Sequence, residues 1–165
     1  MRVIKYNRNL AVEYAEKWAF KRNSNYYDFS FIGGDCTNFA SQCLYQGAPY
    51  MNYTINMGWY YKNLSFRAPA WTGVEYFYNF LVSNFKGVGN KSGPFASEVG
   101  LKELEIGDFV QFRDANFDFY HTLIIVGFDN GIPLLASHSK DAYGLKLDRY
   151  NYAGLRCIKI LGVRE

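Results

Sequence analysis

Gly33-Gly34-Asp35-Cys36-Thr37-Asn38-Phe39 is the stretch on which the fold turns, because it places a cysteine where a loop becomes a helix. Two glycines admit backbone angles closed to other residues, Asp35 is a favourable N-cap, and Phe39, Ala40, Cys43 and Leu44 follow at helical spacing. The pattern predicts a helix from about Cys36 to Tyr45 that stops near Gly47, with Cys36 in its first turn. Unpaired amides and the positive end of the helix dipole favour thiolate over thiol there. Asp35 facing the sulfur would work against this; as an N-cap it is expected to point at the helix amides instead.

Upstream, Leu10, Ala11, Tyr14, Ala15, Trp18 and Ala19 recur as one face of an amphipathic helix from about Asn9 to Arg22, capped by Asn7 or Asn9. Downstream, Ala48 to Pro69 has few periodic signals and reads as an irregular surface excursion. Trp71 to Leu81 reads as a third helix, ending before the loop Lys86-Gly87-Val88-Gly89-Asn90. After Ser92-Gly93-Pro94 the period changes to two. Leu104 to Phe112 is a turn feeding a strand, Thr122 to Phe128 is β-branched and apolar, and Asp129-Asn130-Gly131 signals a hairpin. Ile132 to Ser137 is the returning strand and Leu155 to Leu161 the last one. Helices followed by a meander predict an α+β fold, with N-terminal helices packed on a C-terminal antiparallel β-sheet. At 165 residues, without internal repeats, the chain reads as a single domain over 1–165.

Composition narrows the function classes. Lys and Arg number 18 against 15 Asp and Glu, and the basic residues are scattered, which argues against nucleic acid as a partner. No apolar run approaches transmembrane length, and Met1 to Asn7 lacks the apolar core of a secretory signal. The expectation is a soluble chain, cytoplasmic as written, or exported with a leader removed. Three cysteines without a Cys-x-x-Cys pair cannot all bridge and lack zinc-site spacing, so at least one thiol is free and no metal is expected. Tyr and Phe, at 15 and 14 residues, fill the rim of a core or stack on glycan or peptide.

The chain has only two histidines, and both fall in the strand half. His121 opens the strand that begins at Thr122, and His138 ends the strand after the hairpin turn. Neighbouring strands bring the start of one beside the end of the next, so the two rings are expected to meet. With the Cys36 helix packed on this sheet, Cys36 is the nucleophile, His121 the base and His138 its orienting partner. Each residue also has an ordinary reading. Cys36 could be a packing cysteine, Cys43 lies farther along the same helical stripe, Cys157 is in an apolar strand, and His121 could be a satisfied strand-end residue.

Gly33 to Leu44 resembles the signature of a bacterial amidase-domain family, a papain-like group related to NlpC-type and CHAP-type cell-wall hydrolases. Tyr6-Asn7-Arg8 with Ala11, Tyr14-Ala15 and Trp18-Ala19 is similar to that family's first helix. Gly58-Trp59-Tyr60 and Ala70-Trp71 resemble its middle segment, and Leu104 to Asp108 its Gly-Asp entry to the sheet. The resemblance implies a papain-like fold with a small barrel-like meander, and a cysteine amidase or peptidase acting through a thioester without metal or organic cofactor. It implies a Cys36-His121-polar triad, with His138 in the third place and Ser137, Ser139 and Asp141 as competitors. Where the family often has a Trp near the base, this chain has Phe119-Tyr120. By likeness to NlpC-type enzymes, Tyr26 or Tyr27 helps polarise the substrate carbonyl, beside Asp35 and the Cys36 amide. The implied substrate is a peptide or amide, peptidoglycan-derived among the options. The alternative from another class is a non-catalytic module that holds glycan or peptide on a tyrosine-rich surface.

Overall fold

The computed structural model describes residues 1–86 and 92–165, so the loop expected at Gly87 to Asn90 lies outside the described residues. In chain order the elements are β1 (Val3–Ile4), α1 (Arg8–Trp18), α2 (Cys36–Gly47), β2 (Tyr61–Asn63), β3 (Phe66–Arg67), α3 (Pro69–Thr72) and α4 (Val74–Lys86). They continue with β4 (Gly93–Val99), β5 (Phe109–Arg113), β6 (Phe119–Asp129), β7 (Ile132–Ser137), β8 (Ala142–Lys146) and β9 (Gly154–Arg164).

Asn7 is the cap of α1, its side-chain oxygen accepting from the Leu10 amide at 3.2 Å. The helix stops at Trp18, short of the expected Arg22, and the Trp18 carbonyl accepts both from the Lys21 amide, in a tighter turn, at 3.2 Å and from the His138 ring at 2.8 Å. The expected third helix is two helices, broken at Gly73, which is extended (φ −106°, ψ 130°). A Cβ there would stand 2.8 Å from the Tyr76 ring, so the tight junction excludes a larger residue. The 48–69 excursion is irregular apart from the β2–β3 hairpin.

The larger sheet is a seven-stranded antiparallel sheet ordered β1-β9-β5-β6-β7-β8, with β4 also on β9. β9 carries β4 along one edge, and β5 followed by β1 along the other. The sheet curls into a half-barrel and alternation gives it two apolar faces. Phe109, Ile124, Ala136 and Ile158 face the helices and join the main core with Phe39, Leu44, Trp59 and Trp71. Val110, Phe112, Leu123, Ile125, Leu135 and Cys157 face the concave side, closed by Leu104 and Leu147. The fold is therefore α+β, as expected. β1, β4 and β8 are strands that the sequence reading left out.

Arg8, at the start of α1, ties the helical layer to the sheet. Its guanidinium donates to Asp108 Oδ1 at 2.6 Å and to the carbonyls of Ile106 and Ile160 at 3.0 and 2.8 Å. Asp108 is fully buried and also accepts from the Ile160 and Glu105 amides. The Gly107-Asp108 pair thus anchors the sheet entry. No helix among the described residues is long and apolar enough to cross a membrane.

Candidate active site

Gly33 and Gly34 take φ of 79° and 98°, the left-handed region that glycine reaches without strain, and this turn delivers Cys36 to the first position of α2. A cleft of about 540 Å³ opens above it. Gly33, Gly34 and Cys36 form one wall; Tyr120 and His121 at the start of β6, with Phe112 of β5, form another. Residues 139–142 and 149–151 close the rim.

The α2–β6 contact sets the distance between sulfur and imidazole. Thr37 and Thr122 join hydroxyl to hydroxyl at 2.9 Å, and Gln111 donates to Thr122 Oγ1 at 3.0 Å. This locks the first turn of α2 against the residue that follows His121. The Cys36 sulfur lies 3.8 Å from the Thr37 hydroxyl. The His121 ring packs beside Phe112 (5.9 Å between centroids) and stacks at 12° to Tyr120 (6.3 Å). Among the described residues no hydrogen bond engages its ring nitrogens, and it lines the cleft with Cys36.

Burial pushes the Cys36 thiol up, and the nearby Asp35 charge adds to this against the opposing hydrogen bonds to the sulfur. Burial pushes His121 down to about 4, helped by the Lys140 charge. At neutral pH the free protein holds a neutral thiol and a neutral imidazole. The expected helix-end thiolate is thus corrected: Cys36 is only 7 % exposed, and burial outweighs what favours the thiolate.

His138 does not meet His121. Its Nδ1 lies 2.5 Å from Asp35 Oδ2 and its Nε2 2.8 Å from the Trp18 carbonyl, while its ring stacks on Phe39 at 4.0 Å. The reason is a bulge. Asp129 pairs with Ile132 and Gly127 with Leu134, but Ile125 pairs with Leu135, so Val126 is an extra residue that shifts the register by one. A one-residue shift exchanges the faces. Continued along the ladder, it puts His138 with Thr122 and Ile124 on the helix side, whereas His121 shares the concave side with Phe112.

Asp35 is also reassigned. It holds the N-cap position but makes no side-chain cap bond. Its Oδ1 accepts from the Phe29 amide (2.8 Å) and the Asn38 side chain (2.9 Å), and its carboxylate is buried, so it does not line the cleft. Tyr26 lies in an aromatic cluster, stacked on Trp71 at 5.9 Å, and burial raises its hydroxyl to about 12. Tyr27 packs edge-on against Phe29. Neither lines the cleft; Tyr120 and Tyr150 do.

Of the competitors for the third place, Ser139 accepts from the Asp35 amide at 2.9 Å, and Asp141 is gripped by Arg22 through two bonds of 2.9 and 3.1 Å. Ser137 sits beside the Tyr150 hydroxyl, and both oxygens are buried without a well-formed hydrogen bond among the described residues. Tyr120 stands beside His121 where the resemblance put Phe119-Tyr120 in place of a Trp, whereas the sequence does not announce Arg22, Phe112, Lys140, Arg149 or Tyr150. The one usable signal was alternation, since Phe112 pairs directly with His121 across β5 and β6. All three cysteines are free; Cys43 and Cys157 are buried in the two cores. Among the described residues no group of His, Cys, Asp and Glu side chains forms a candidate metal site.

The α+β scaffold thus sets Cys36 at a helix start and His121 on a strand along one cleft. The chain belongs to the family described as "Putative amidase domain", whose model matches residues 5–160, and the family supports an amidase-type enzyme. It is similar to "Uncharacterized protein YhbB" of Bacillus subtilis (strain 168), 36% identical over 146 residues, which cover 86% of this chain. The matched part is 44% of that relative, so the chain spans less than half its length. No solved structure matches the chain.

Proposed function

We propose that the protein is a cysteine amidase or peptidase in which Cys36 is the nucleophile and His121 the general base. The observation that carries this reading is that Cys36 and His121 line one cleft, with the residues that follow them, Thr37 and Thr122, joined hydroxyl to hydroxyl at 2.9 Å. Because thiol and imidazole are both neutral, the proton passes from Sγ to His121 as Sγ attacks the amide carbonyl. The oxyanion that forms faces the Cys36 backbone amide at the helix start, where N–H groups have no intrahelical partner. His121 then gives its proton to the departing nitrogen as the C–N bond breaks, leaving a thioester. Water hydrolyses the thioester, with His121 again taking the proton. Phe112 and Tyr120, rather than a hydrogen-bonded third residue, hold the imidazole plane.

The likeness of the Gly33 to Leu44 stretch to papain-like NlpC-type and CHAP-type hydrolases extends the reading to short peptides, including the stem peptides of bacterial cell wall. The test is digestion of soluble cell-wall peptides followed by mass spectrometry. Wild-type protein is expected to release fragment pairs whose summed mass exceeds the parent by one water, and Cys36→Ala to release none. Peptides that are retained but stay intact would make the protein a binding module. Hydrolysis that survives Cys36→Ala would remove Cys36 from the chemistry.

A further inference from the structure

The charges on the cleft are unbalanced. Among its lining residues, the acidic side chain is Asp141, which Arg22, also 3.4 Å from Asp28 and 3.6 Å from Asp35, holds from outside the cleft through two hydrogen bonds. Lys140 and Arg149, which precede and follow β8 in the chain, line the same cleft, and neither has an ion pair or hydrogen bond among the described residues. Two uncompensated cations therefore face the space above Cys36.

The placement of Lys140 is maintained against strain. Ser139 and Lys140 have φ of 63° and 82°, conformations that residues with a Cβ rarely adopt and that persist where surrounding structure enforces them. The enforcing contacts flank the pair: His138 is bonded to Asp35 and Trp18, Ser139 Oγ accepts the Asp35 amide, and Asp141 is fixed by Arg22. The turn so held keeps Lys140 close enough for its charge to act on His121. Arg149 ends the short 147–149 turn, followed by the half-buried Tyr150. A guanidinium can engage both oxygens of a carboxylate, and an ammonium supplies a point charge beside it.

We infer that the cleft selects a substrate bearing a carboxylate next to the scissile amide, read by Lys140 and Arg149. This rests on Cys36 being the reactive residue. It adds what the proposed activity leaves open: an amide whose neighbouring position is neutral is a poor substrate, and one flanked by a free carboxylate is a good one. Tyr120 and Phe112 supply apolar faces for the rest of the ligand.

The probe is a pair of alkylating agents of nearly equal size, anionic iodoacetate and neutral iodoacetamide, read at the Cys36 peptide by mass spectrometry. In both reactions the thiolate forms an S–C bond and iodide leaves. The ratio of the two rates therefore cancels differences in thiol reactivity and reports the local field. At about 0.01 M salt the iodoacetate-to-iodoacetamide ratio at Cys36 is expected to exceed that of 2-mercaptoethanol about fourfold, the scale set by two charges roughly 10 Å away in water. At about 1 M salt the excess should vanish. Lys140→Gln and Arg149→Gln should each lower the ratio, and the double variant should abolish the excess. Both residues are exposed and unpaired, so the fold should tolerate the changes.

Protection from iodoacetamide then identifies the carboxylate. Ala-Ala carries it at the C-terminus, Ala-Glu-amide on a side chain, and Ala-Ala-amide not at all. Protection by either acid, and not by the amide, supports the inference and names its source. Cys36 unreactive toward both reagents would overturn the amidase reading and this one together. Reaction with iodoacetamide but no excess for iodoacetate would overturn the carboxylate inference alone, as would equal protection by Ala-Ala-amide. An excess unchanged in the double variant would overturn the assignment to Lys140 and Arg149.

Discussion

Asp35 and His138, separated by 103 residues, meet at 2.5 Å in the interior, each about 1 % exposed. The Trp18 carbonyl can only accept, so His138 Nε2 donates to it, and the Nδ1 side of the ring faces the Asp35 carboxyl, whose other oxygen accepts from the Phe29 amide and the Asn38 side chain. The pair joins the end of α1, the start of α2 and the end of β7. It braces the loop that presents Cys36 and stands outside the cleft.

Removing one partner of such a pair leaves a buried polar group unsatisfied. Asp35→Asn and His138→Gln are each expected to lower stability by about 1–3 kcal/mol in urea unfolding. The double variant should lose less than the sum, because the orphaned partner is gone. Additive losses would show that the two residues act separately.

Cys36 should label faster with iodoacetamide than Cys43, which is fully buried, or Cys157, which lies in the strand core. Because burial raises the Cys36 thiol, its rate should keep climbing through pH 9, the ordinary thiol value, instead of levelling off near neutrality. A plateau by pH 7 would mean that a thiolate is preformed after all. Cys36→Ser should leave the melting temperature nearly unchanged, and Cys43→Ser should lower it, since that hydroxyl would be buried in the main core.

His121 gives the fold an acid sensitivity of defined sign. Its folded value of about 4 lies below the ordinary 6.5, so the unfolded chain binds the proton first as pH falls. The stability tied to the neutral ring is complete above pH 6.5, declines as pH drops from there, and is gone below about 4. The full loss is at most about 3 kcal/mol. His121→Phe should flatten this part of the stability profile, and Lys140→Gln should raise the His121 midpoint in an imidazole NMR titration.

Arg156 is nearly buried between the rings of Tyr78 and Phe119, at 3.7 and 3.8 Å, with its Nε donating to Gln111 at 2.7 Å and its two terminal nitrogens bonded to Glu75. A Lys retains charge but neither the planar stack nor the fork. Arg156→Lys is expected to cost about 1–3 kcal/mol in urea unfolding, and Arg156→Ala more. Equal losses would show that the guanidinium contacts, and not packing of the aliphatic stem, carry the contribution.

Local signals carried far in this chain. The loop-to-helix step at Cys36, the Asn7 cap and the Asn130-Gly131 turn, with φ of 49° and 78°, each depend on residues within a few positions of one another. Gly47 shows where that logic thins. It ends α2 as its residue type suggests, but what fixes a glycine there is that a Cβ would stand 2.4 Å from the Asn7 carbonyl oxygen and from the Tyr6 ring. The requirement is closeness to a distant segment, which local propensity does not encode. Likewise, the turn located β6 and β7, but no residue type announces that Val126 bulges, and one extra residue moved His138 to the other face of the sheet. The same limit hid Asp35, whose residue type suits both an N-cap and a buried counter-ion.

Two of the chain's three tryptophans are fully buried, and both indole N–H groups end on the helix that carries Cys36: Trp59 on Ser41 and Trp71 on Asn38, each at 3.0 Å. Their emission colour thus reports on the seating of that helix. A shift to the red would mark α2 lifting from its aromatic bed before the sheet gave way, and would give the molecule a built-in optical gauge of whether its cysteine is still in place.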